Sequence, residues 1–526
     1  MTISTDTEAA VSEMPLSPLS FLIRSARVWE NRPAVIDGNR TFTYGEHYQR
    51  VRRGVGALRD GLGVEAGDRV AALLPNIVEM LELHYSVPGA SAVLVPLNTR
   101  LAGSEYAYIL EHSGARVVIA DASLRAPLTE ALEALGANAP RVLWTGEGEL
   151  PGESWNALVE RSQPLELSRP DDERALLSIS YTSGTTGRPK GVMTSHRGAY
   201  LHTLGVIAEA GLGASSSYLW TLPMFHCNGW AYTWAVTASG ARHVCLRSVE
   251  AGPIWDSLRT GVTHLCAAPT VLFMLVDAEQ AEPCANPVQV FVGGAPPAPT
   301  LLARAAELNI HVTHLYGLTE TYGPTVVCAW NPDWDDRSEQ EQASLRARQG
   351  VATIVTELIR VVDPEMRDVA ADGESLGEIV MRGNNIMVGY YEDPEATVRA
   401  FTGGWFHTGD IGVMHPDGYL EIRDRLKDVV ISGGENIATV EIEQALMAHP
   451  AIAEAAVVGA PDPKWGEVPV AFATLRGAER PDPEELREFA RGRIARFKVP
   501  KRIEFLDELP KTGTGKIQKF ALRERT

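Results

Sequence analysis

Three strand-like runs, Val70–Leu74, Ala92–Leu97 and Arg116–Ala120, alternate with two helix-like stretches, one reaching about Tyr85 and one starting at Ser104. Strand, helix, strand, helix, strand implies a parallel sheet covered by helices, because a parallel neighbour needs a crossover long enough to carry the chain back to the same end of the sheet. Upstream, Thr43 with Glu46 forms a capping box, and Val51, Val55, Leu58 and Leu62 recur at helical spacing until Gly61 and Gly63 mark the end. The 526 residues exceed one compact core, and a prior of about 150 residues per domain gives two to four units. Apolar residues at 45% and charged residues at 22% are ordinary globular values and exclude wholesale disorder.

Toward the C-terminus the pattern changes. Gly418–Ile422 reads as a strand, and Arg423-Asp424-Arg425-Leu426-Lys427-Asp428 then packs five charges into six residues, which suits a domain boundary. Strands follow at Ile452–Val458 and Val468–Leu475, and Asp482 caps Pro483 at the start of a helix ending near Arg496, before another strand. The expected fold is α/β, with a large N-terminal part of several subdomains, residues 1–425, and a small α+β part, residues 426–526.

Charge and cysteine usage bound the surroundings. Lys and Arg number 48 against 67 Asp and Glu, a formal charge of -19; this argues against general affinity for nucleic acid or anionic membranes, so an anionic substrate must be met by a local basic site. Cys227, Cys245, Cys266, Cys284 and Cys328 are odd in number, widely spaced and free of any Cys-x-x-Cys pair, as in a reduced, cytosolic protein. Asp6, Glu8 and Glu13 precede any apolar run, unlike a signal peptide, and nowhere do about 18 apolar residues run uninterrupted. A cytoplasmic protein without a membrane span is the expectation.

Between strands at Ala175–Ser180 and Val192–Ser195 lies Tyr181-Thr182-Ser183-Gly184-Thr185-Thr186-Gly187-Arg188-Pro189-Lys190-Gly191. Glycines let successive backbone NH groups converge on an anion, and the hydroxyls and two cations add further donors, so the run reads as a phosphate cradle. It is not a Walker loop, since Lys190 is preceded by Pro189 and followed by Gly191. Five other patches carry polar chemistry that bland readings also fit. Tyr316-Gly317-Leu318-Thr319-Glu320 offers a ring, a hydroxyl and a carboxylate, or a core Tyr and a solvated Glu. Asp410, in Phe406-His407-Thr408-Gly409-Asp410, also suits a turn, Ser432–Asn436 a tight turn, and Lys516 an exposed charge after Gly513 and Gly515. His226, in Met224–Trp230, also suits a structural role.

Taken in order, these motifs resemble those of the acyl-adenylate-forming superfamily, which holds acyl-CoA synthetases, firefly-luciferase-like enzymes and the adenylation domains of peptide synthetases. The resemblance spans roughly residues 20 to 520. It implies that Thr182, Ser183, Gly184, Thr185, Thr186, Gly187 and Lys190 hold the phosphates of ATP, with Thr185 among the catalytic groups. Gly294, Ala295 and Pro296, after Gly293, form the adenine-side loop. Tyr316, next to Gly317, stacks on adenine, Thr319 meets the nucleotide phosphate, and Glu320 holds Mg²⁺, a metal content with one carboxylate plus phosphate oxygens. Asp410 accepts the ribose hydroxyls with Arg425 beside it, and Lys427 is the hinge that lets a mobile small domain present two faces to one active site. Lys516 is the catalytic lysine, bridging substrate carboxylate and α-phosphate as charge builds on the phosphate oxygens. Gly433 and Gly434 line the pantetheine tunnel of CoA. Trp465, Phe497, Lys498 and Lys501 match positions near the nucleotide end of CoA, with surface packing an equal reading for each. His226 gates the carboxylate site, and Asn228, Gly229 and Trp230 line the acyl pocket.

The implied reaction uses ATP, Mg²⁺ and CoA: a carboxylate displaces pyrophosphate to give an acyl-adenylate, and the CoA thiol then displaces AMP. An amino-acid-loading domain would present an Asp where His226-Cys227 stand, and a luciferase-like enzyme would carry a peroxisomal address where this chain ends Arg523-Glu524-Arg525-Thr526. Transfer of an unusual acid to an amine or a carrier protein stays open, as does a homodimer. An indole at Trp230 predicts short- to medium-chain, branched or small aromatic acids, unless the ring packs in the core away from the pocket.

Overall fold

The computed structural model describes residues 14–146, 148–182, 189–294, 297, 299–426, 428–432, 435–463, 465–477, 480–511 and 517–526. Among them the strands form four sheets, of nine, seven, five and four strands. The helix Tyr44–Gly56 opens with the expected reciprocal cap, Thr43 Oγ1 accepting from the Glu46 N–H and Glu46 from the Thr43 N–H. Val51 and Val55 are buried along it, and Leu58 is buried in the wider turn Ala57–Gly61 that follows.

The alternation that starts at Arg69 builds the centre of the seven-stranded sheet. Arg69–Leu73 lies parallel to both Val93–Pro96 and Ala115–Asp121. The crossovers are the helices Val78–Gly89 and Gly103–Ser113. Every residue of Val78–Gly89 is buried, so the helix is a core element rather than an amphipathic cover. Leu176–Tyr181 joins parallel to Val93–Pro96, then reverses into Gly191–Ser195. The two-residue strand Gly389–Tyr390 comes back from far along the chain to pair antiparallel with Gly191–Ser195.

In the nine-stranded sheet, Ile310–Leu318 runs parallel to Val288–Val292 and then antiparallel to Gly323–Val327. The largest apolar cluster, with Val55, Leu81, Trp155, Trp220 and Trp234, joins elements of both large sheets. The four-stranded sheet is antiparallel, Thr356–Val362, Gly377–Gly383, Phe406–Met414 and Leu420–Arg425. The five-stranded sheet holds the strands from Val430 to Phe505.

Two expectations need correction. The strand expected at Gly418–Ile422 runs instead over Leu420–Arg425, into the charged run, because alternation turns Asp424 inward, where the Thr439 N–H and hydroxyl both donate to it. The helix begun at Pro483 stops at Arg491, not near Arg496. Gly492, a poor helix former, follows, and Arg496–Lys498 is a separate short turn.

Candidate active site

Ser183, Gly184, Thr185, Thr186, Gly187 and Arg188 lie outside the described residues, but the neck of their loop is defined. Tyr181 pairs with Gly191, the Thr182 N–H donates to the Lys190 carbonyl at 3.0 Å, and the Lys190 N–H donates to Thr182 Oγ1 at 3.3 Å. The loop is thus pinched at its base by a continuation of the strand pair. Below it, the Tyr181 hydroxyl and His112 Nδ1 are 2.8 Å apart. The Tyr391 N–H donates to the Gly191 carbonyl at 2.7 Å.

Lys190 and Glu320 meet at a residue that the sequence reading passed over. Lys190 Nζ lies 4.6 Å from the centre of the Tyr390 ring, and the Tyr390 hydroxyl donates to Glu320 Oε1 at 2.9 Å. The Glu320 backbone is held too, its carbonyl accepting from the Met387 N–H at 2.8 Å. Burial and the neighbouring Glu320 carboxylate raise the Tyr390 pKa far above its usual value, so its proton stays available for donation.

Tyr316 and Asp410 are also in contact, the phenol donating to Asp410 Oδ2 at 2.6 Å. Pairing of Phe406–Met414 with Leu420–Arg425 sets Arg425 opposite Asp410, with Arg425 Nε 3.7 Å from Oδ1. Burial, then the Asp410 charge, raises the Tyr316 pKa, so the ring is a neutral phenol. Gly317 has a structural reason to be glycine: the strand pair bulges there, and a Cβ would lie 2.0 Å from the Gly323 carbonyl oxygen.

The segment after His226 is a left-handed turn. Cys227, Asn228, Gly229, Trp230 and Ala231 have φ of 43°, 45°, 63°, 53° and 61°. Asn228, read from sequence as a pocket residue, is corrected here: its side chain is fully buried and committed to protein. Its Nδ2 donates to Ser178 Oγ at 2.7 Å, and Ser180 Oγ donates to its Oδ1 at 3.0 Å. Asn228 therefore ties the turn to the strand that leads into the signature loop. Gly229 also faces protein, a Cβ there meeting the Trp220 ring at 2.8 Å.

Trp230 is 7% exposed and belongs to the main core. It nevertheless sits where three site segments meet: a Cβ at Gly293 would lie 2.7 Å from its Cη2, and one at Gly323 would lie 3.1 Å from its Cα. His226 is half-buried on the same turn, and the Cys227 thiol donates to Thr319 Oγ1 at 3.6 Å. Gly294 continues from Gly293 with φ of 93°.

Ala295, Pro296, Lys427, Gly433, Gly434 and Lys516 fall outside the described residues. Trp465 is 42% exposed, its backbone N–H donating to Asp462 Oδ1. Lys498 is paired with Glu441 at 2.6 Å, which supports the surface-packing reading for it. Among the described residues no group of three His, Cys, Asp or Glu could hold a metal by itself. The single carboxylate of Glu320, beside the Thr319 hydroxyl, fits a cation that brings phosphate oxygens with it, the usual condition of Mg²⁺.

A pinched anion loop, a lysine, a carboxylate and a Tyr–Asp pair, gathered where strands of three sheets meet, mark an enzyme that binds a nucleotide through its phosphates. The chain belongs to the AMP-binding enzyme family, which it matches over residues 22–391, with the C-terminal domain of AMP-binding enzymes matched over residues 441–516. It is 42% identical to a 2-methylpropanoate–CoA ligase of Humulus lupulus, covering 98% of this chain and 95% of that protein. To a peroxisomal trans-cinnamate:CoA ligase of Petunia hybrida it is 41% identical, over 97% and 94%. The structure of o-succinylbenzoate CoA synthetase from Bacillus subtilis with its acyl-adenylate intermediate superposes with a TM-score of 0.84 at 28% identity, covering 98% of this chain and 99% of that one.

Proposed function

We propose that the chain is an AMP-forming acid–CoA ligase. The observation that carries this is the junction at Tyr390, where the lysine of the signature loop and the Glu320 carboxylate converge, with Thr319 and the His226–Trp230 turn beside them. A carboxylate oxygen of the acid attacks the α-phosphorus of ATP, the bond to the β-phosphate oxygen breaks, and pyrophosphate leaves. The CoA sulfur then attacks the acyl carbon, the carbon–oxygen bond breaks, and AMP departs while the thiol proton passes to solvent.

Lys190 and the signature loop hold the phosphates, the Tyr316 ring packs on the adenine, and Asp410 accepts from the ribose hydroxyls. Glu320 would hold Mg²⁺, which when bound neutralises phosphate charge in the first half-reaction. Lys516 places a fixed cation between the acid's carboxylate and the α-phosphate, and the loop at Gly433 and Gly434 serves the pantetheine of CoA in the second half-reaction.

The acid is short- to medium-chain, branched or small aromatic. Support comes from the Trp230 indole, wedged against Gly293 and Gly323 where a long acyl chain would need room, and from relatives named for 2-methylpropanoate and trans-cinnamate. The five cysteines are free thiols, which suits the cytoplasm. A panel of carboxylic acids tests the reading: CoA thioester, AMP and pyrophosphate should form together with small branched or aromatic acids, whereas ADP and phosphate as products would refute it.

A further inference from the structure

Tyr390 contributes no charge, and no part of the reaction above is assigned to it. Its position is nevertheless fixed from several sides. The Gly389–Tyr390 strand pairs with Gly191–Ser195, the strand that leaves the signature loop, with Tyr390 opposite Val192. The Tyr390 N–H donates to Thr397 Oγ1 at 2.9 Å, which anchors it to the helix Pro394–Ala400. Three residues earlier, Met387 holds the Glu320 carbonyl. From this frame the phenol reaches Glu320 Oε1 while the ring face carries Lys190 Nζ.

We infer that Tyr390 is a positioning residue for the nucleotide's metal-bound phosphates: its hydroxyl orients the Glu320 carboxylate and its ring seats the Lys190 ammonium. A hydrogen bond to one oxygen of a ligating carboxylate fixes the rotation of the group, and such outer-shell partners typically alter metal affinity 10- to 100-fold when removed. The ring contributes differently. Its negative face holds the ammonium between turnovers. The inference rests on the ligase reading for the roles of Glu320 and Lys190, and it adds the residue that couples them.

Tyr390→Phe separates the two contacts, since it keeps the ring and removes the hydroxyl. Binding of a non-hydrolysable ATP analogue is measured by calorimetry with Mg²⁺ and with EDTA, for wild type, Tyr390→Phe, Glu320→Gln and the double variant. Expected is a loss of roughly 10-fold in Mg²⁺–analogue affinity for Tyr390→Phe, unchanged affinity in EDTA, and a double variant no weaker than Glu320→Gln alone. Equal affinity with and without the hydroxyl, equal losses in Mg²⁺ and EDTA, or multiplicative losses in the double variant would each overturn the inference. Tyr390→Leu, which also removes the ring, should weaken analogue binding in EDTA as well, and if it does not, the ring's part fails. Acid-dependent ATP–pyrophosphate exchange by the wild type, run in parallel, tests the ligase reading separately. If Tyr390→Phe melts early, binding by Tyr390→His, whose ring can also donate, decides: a return of Mg²⁺-dependent affinity supports the inference and its continued loss overturns it.

Discussion

Asn228 shows how a residue's neighbours in sequence can misdirect its reading. It stands two residues after His226 and two before Trp230, so a pocket position is the natural expectation, yet its amide spends both ends on Ser178 and Ser180. Nothing local in the sequence announces a left-handed turn of five residues, four of them non-glycine, and that turn is what drives the side chain inward. Asn228→Ala would leave two buried hydroxyls without their partner, each costing about 1–3 kcal/mol. A loss of at least about 2 kcal/mol in urea unfolding is therefore expected, and a change below about 0.5 kcal/mol, the range of ordinary surface substitutions, would contradict it. Trp230 gives the complementary prediction. Trp230→Ala should move the preferred acid toward longer chains, by about 1–3 kcal/mol of discrimination per methylene newly accepted; unchanged preference with lost stability would return the ring to a packing role. Tyr390 stayed hidden because its partner strand lies far earlier in the chain.

At the scale of elements, legibility follows locality. The capping box at Thr43 and Glu46 and the alternation from Arg69 to Asp121 rest on short-range periodicity, and the helices and parallel strands appear where the pattern puts them. Arg423 and Asp424 read as part of a domain boundary rather than as strand because Asp424 is satisfied by a helix start, Thr439, that sequence alone does not bring near. The hairpin of Ile310–Leu318 and Gly323–Val327 was legible as chemistry, through Tyr316 and Glu320, but not as geometry. Its bulge places the Gly323 carbonyl where any Cβ on Gly317 would sit. Gly317→Ala should force the two strands apart, costing about 3 kcal/mol or more and weakening ATP binding with it, since Tyr316 and Thr319 lie on either side. Thermal melting with and without nucleotide checks this, and a variant with wild-type melting would show that the strands yield cheaply.

The whole molecule should respond to acid through its buried histidines. Burial lowers His47 to about 3 and His84, His196, His202 and His314 to about 4 each, from 6.5. Below pH 6.5 the unfolded chain binds protons that the folded chain refuses, so stability falls with pH at about 1.4 kcal/mol per unit for each such group. Glu82, pushed up to about 7 by burial against the pull of Arg50, works in the opposite direction between its ordinary 4.5 and 7, as do Glu209 and Glu443, which burial also raises, while burial lowers His243 and His264 as well and adds to the histidines' side. Unfolding midpoints in urea should hold between pH 7 and 8 and fall steeply between pH 6.5 and 5; a flat profile there would contradict the burial of these rings as neutral imidazoles. The division of labour proposed for the small C-terminal part predicts that Lys516→Ala slows adenylate formation by about 100-fold, roughly 3 kcal/mol, while sparing conversion of a pre-made acyl-adenylate. Gly434→Leu should do the reverse, and equal damage to the same half-reaction would remove the two-face assignment. The most direct test of the central claim follows one oxygen atom. With a branched short-chain acid labelled by ¹⁸O in its carboxylate, ATP and CoA, an acyl-adenylate route leaves one labelled oxygen in the phosphate of AMP, because that atom attacks phosphorus and stays with it when sulfur takes the acyl group. AMP carrying one ¹⁸O alongside unlabelled pyrophosphate is the predicted result; ADP with label in inorganic phosphate, or AMP without label, would contradict the account.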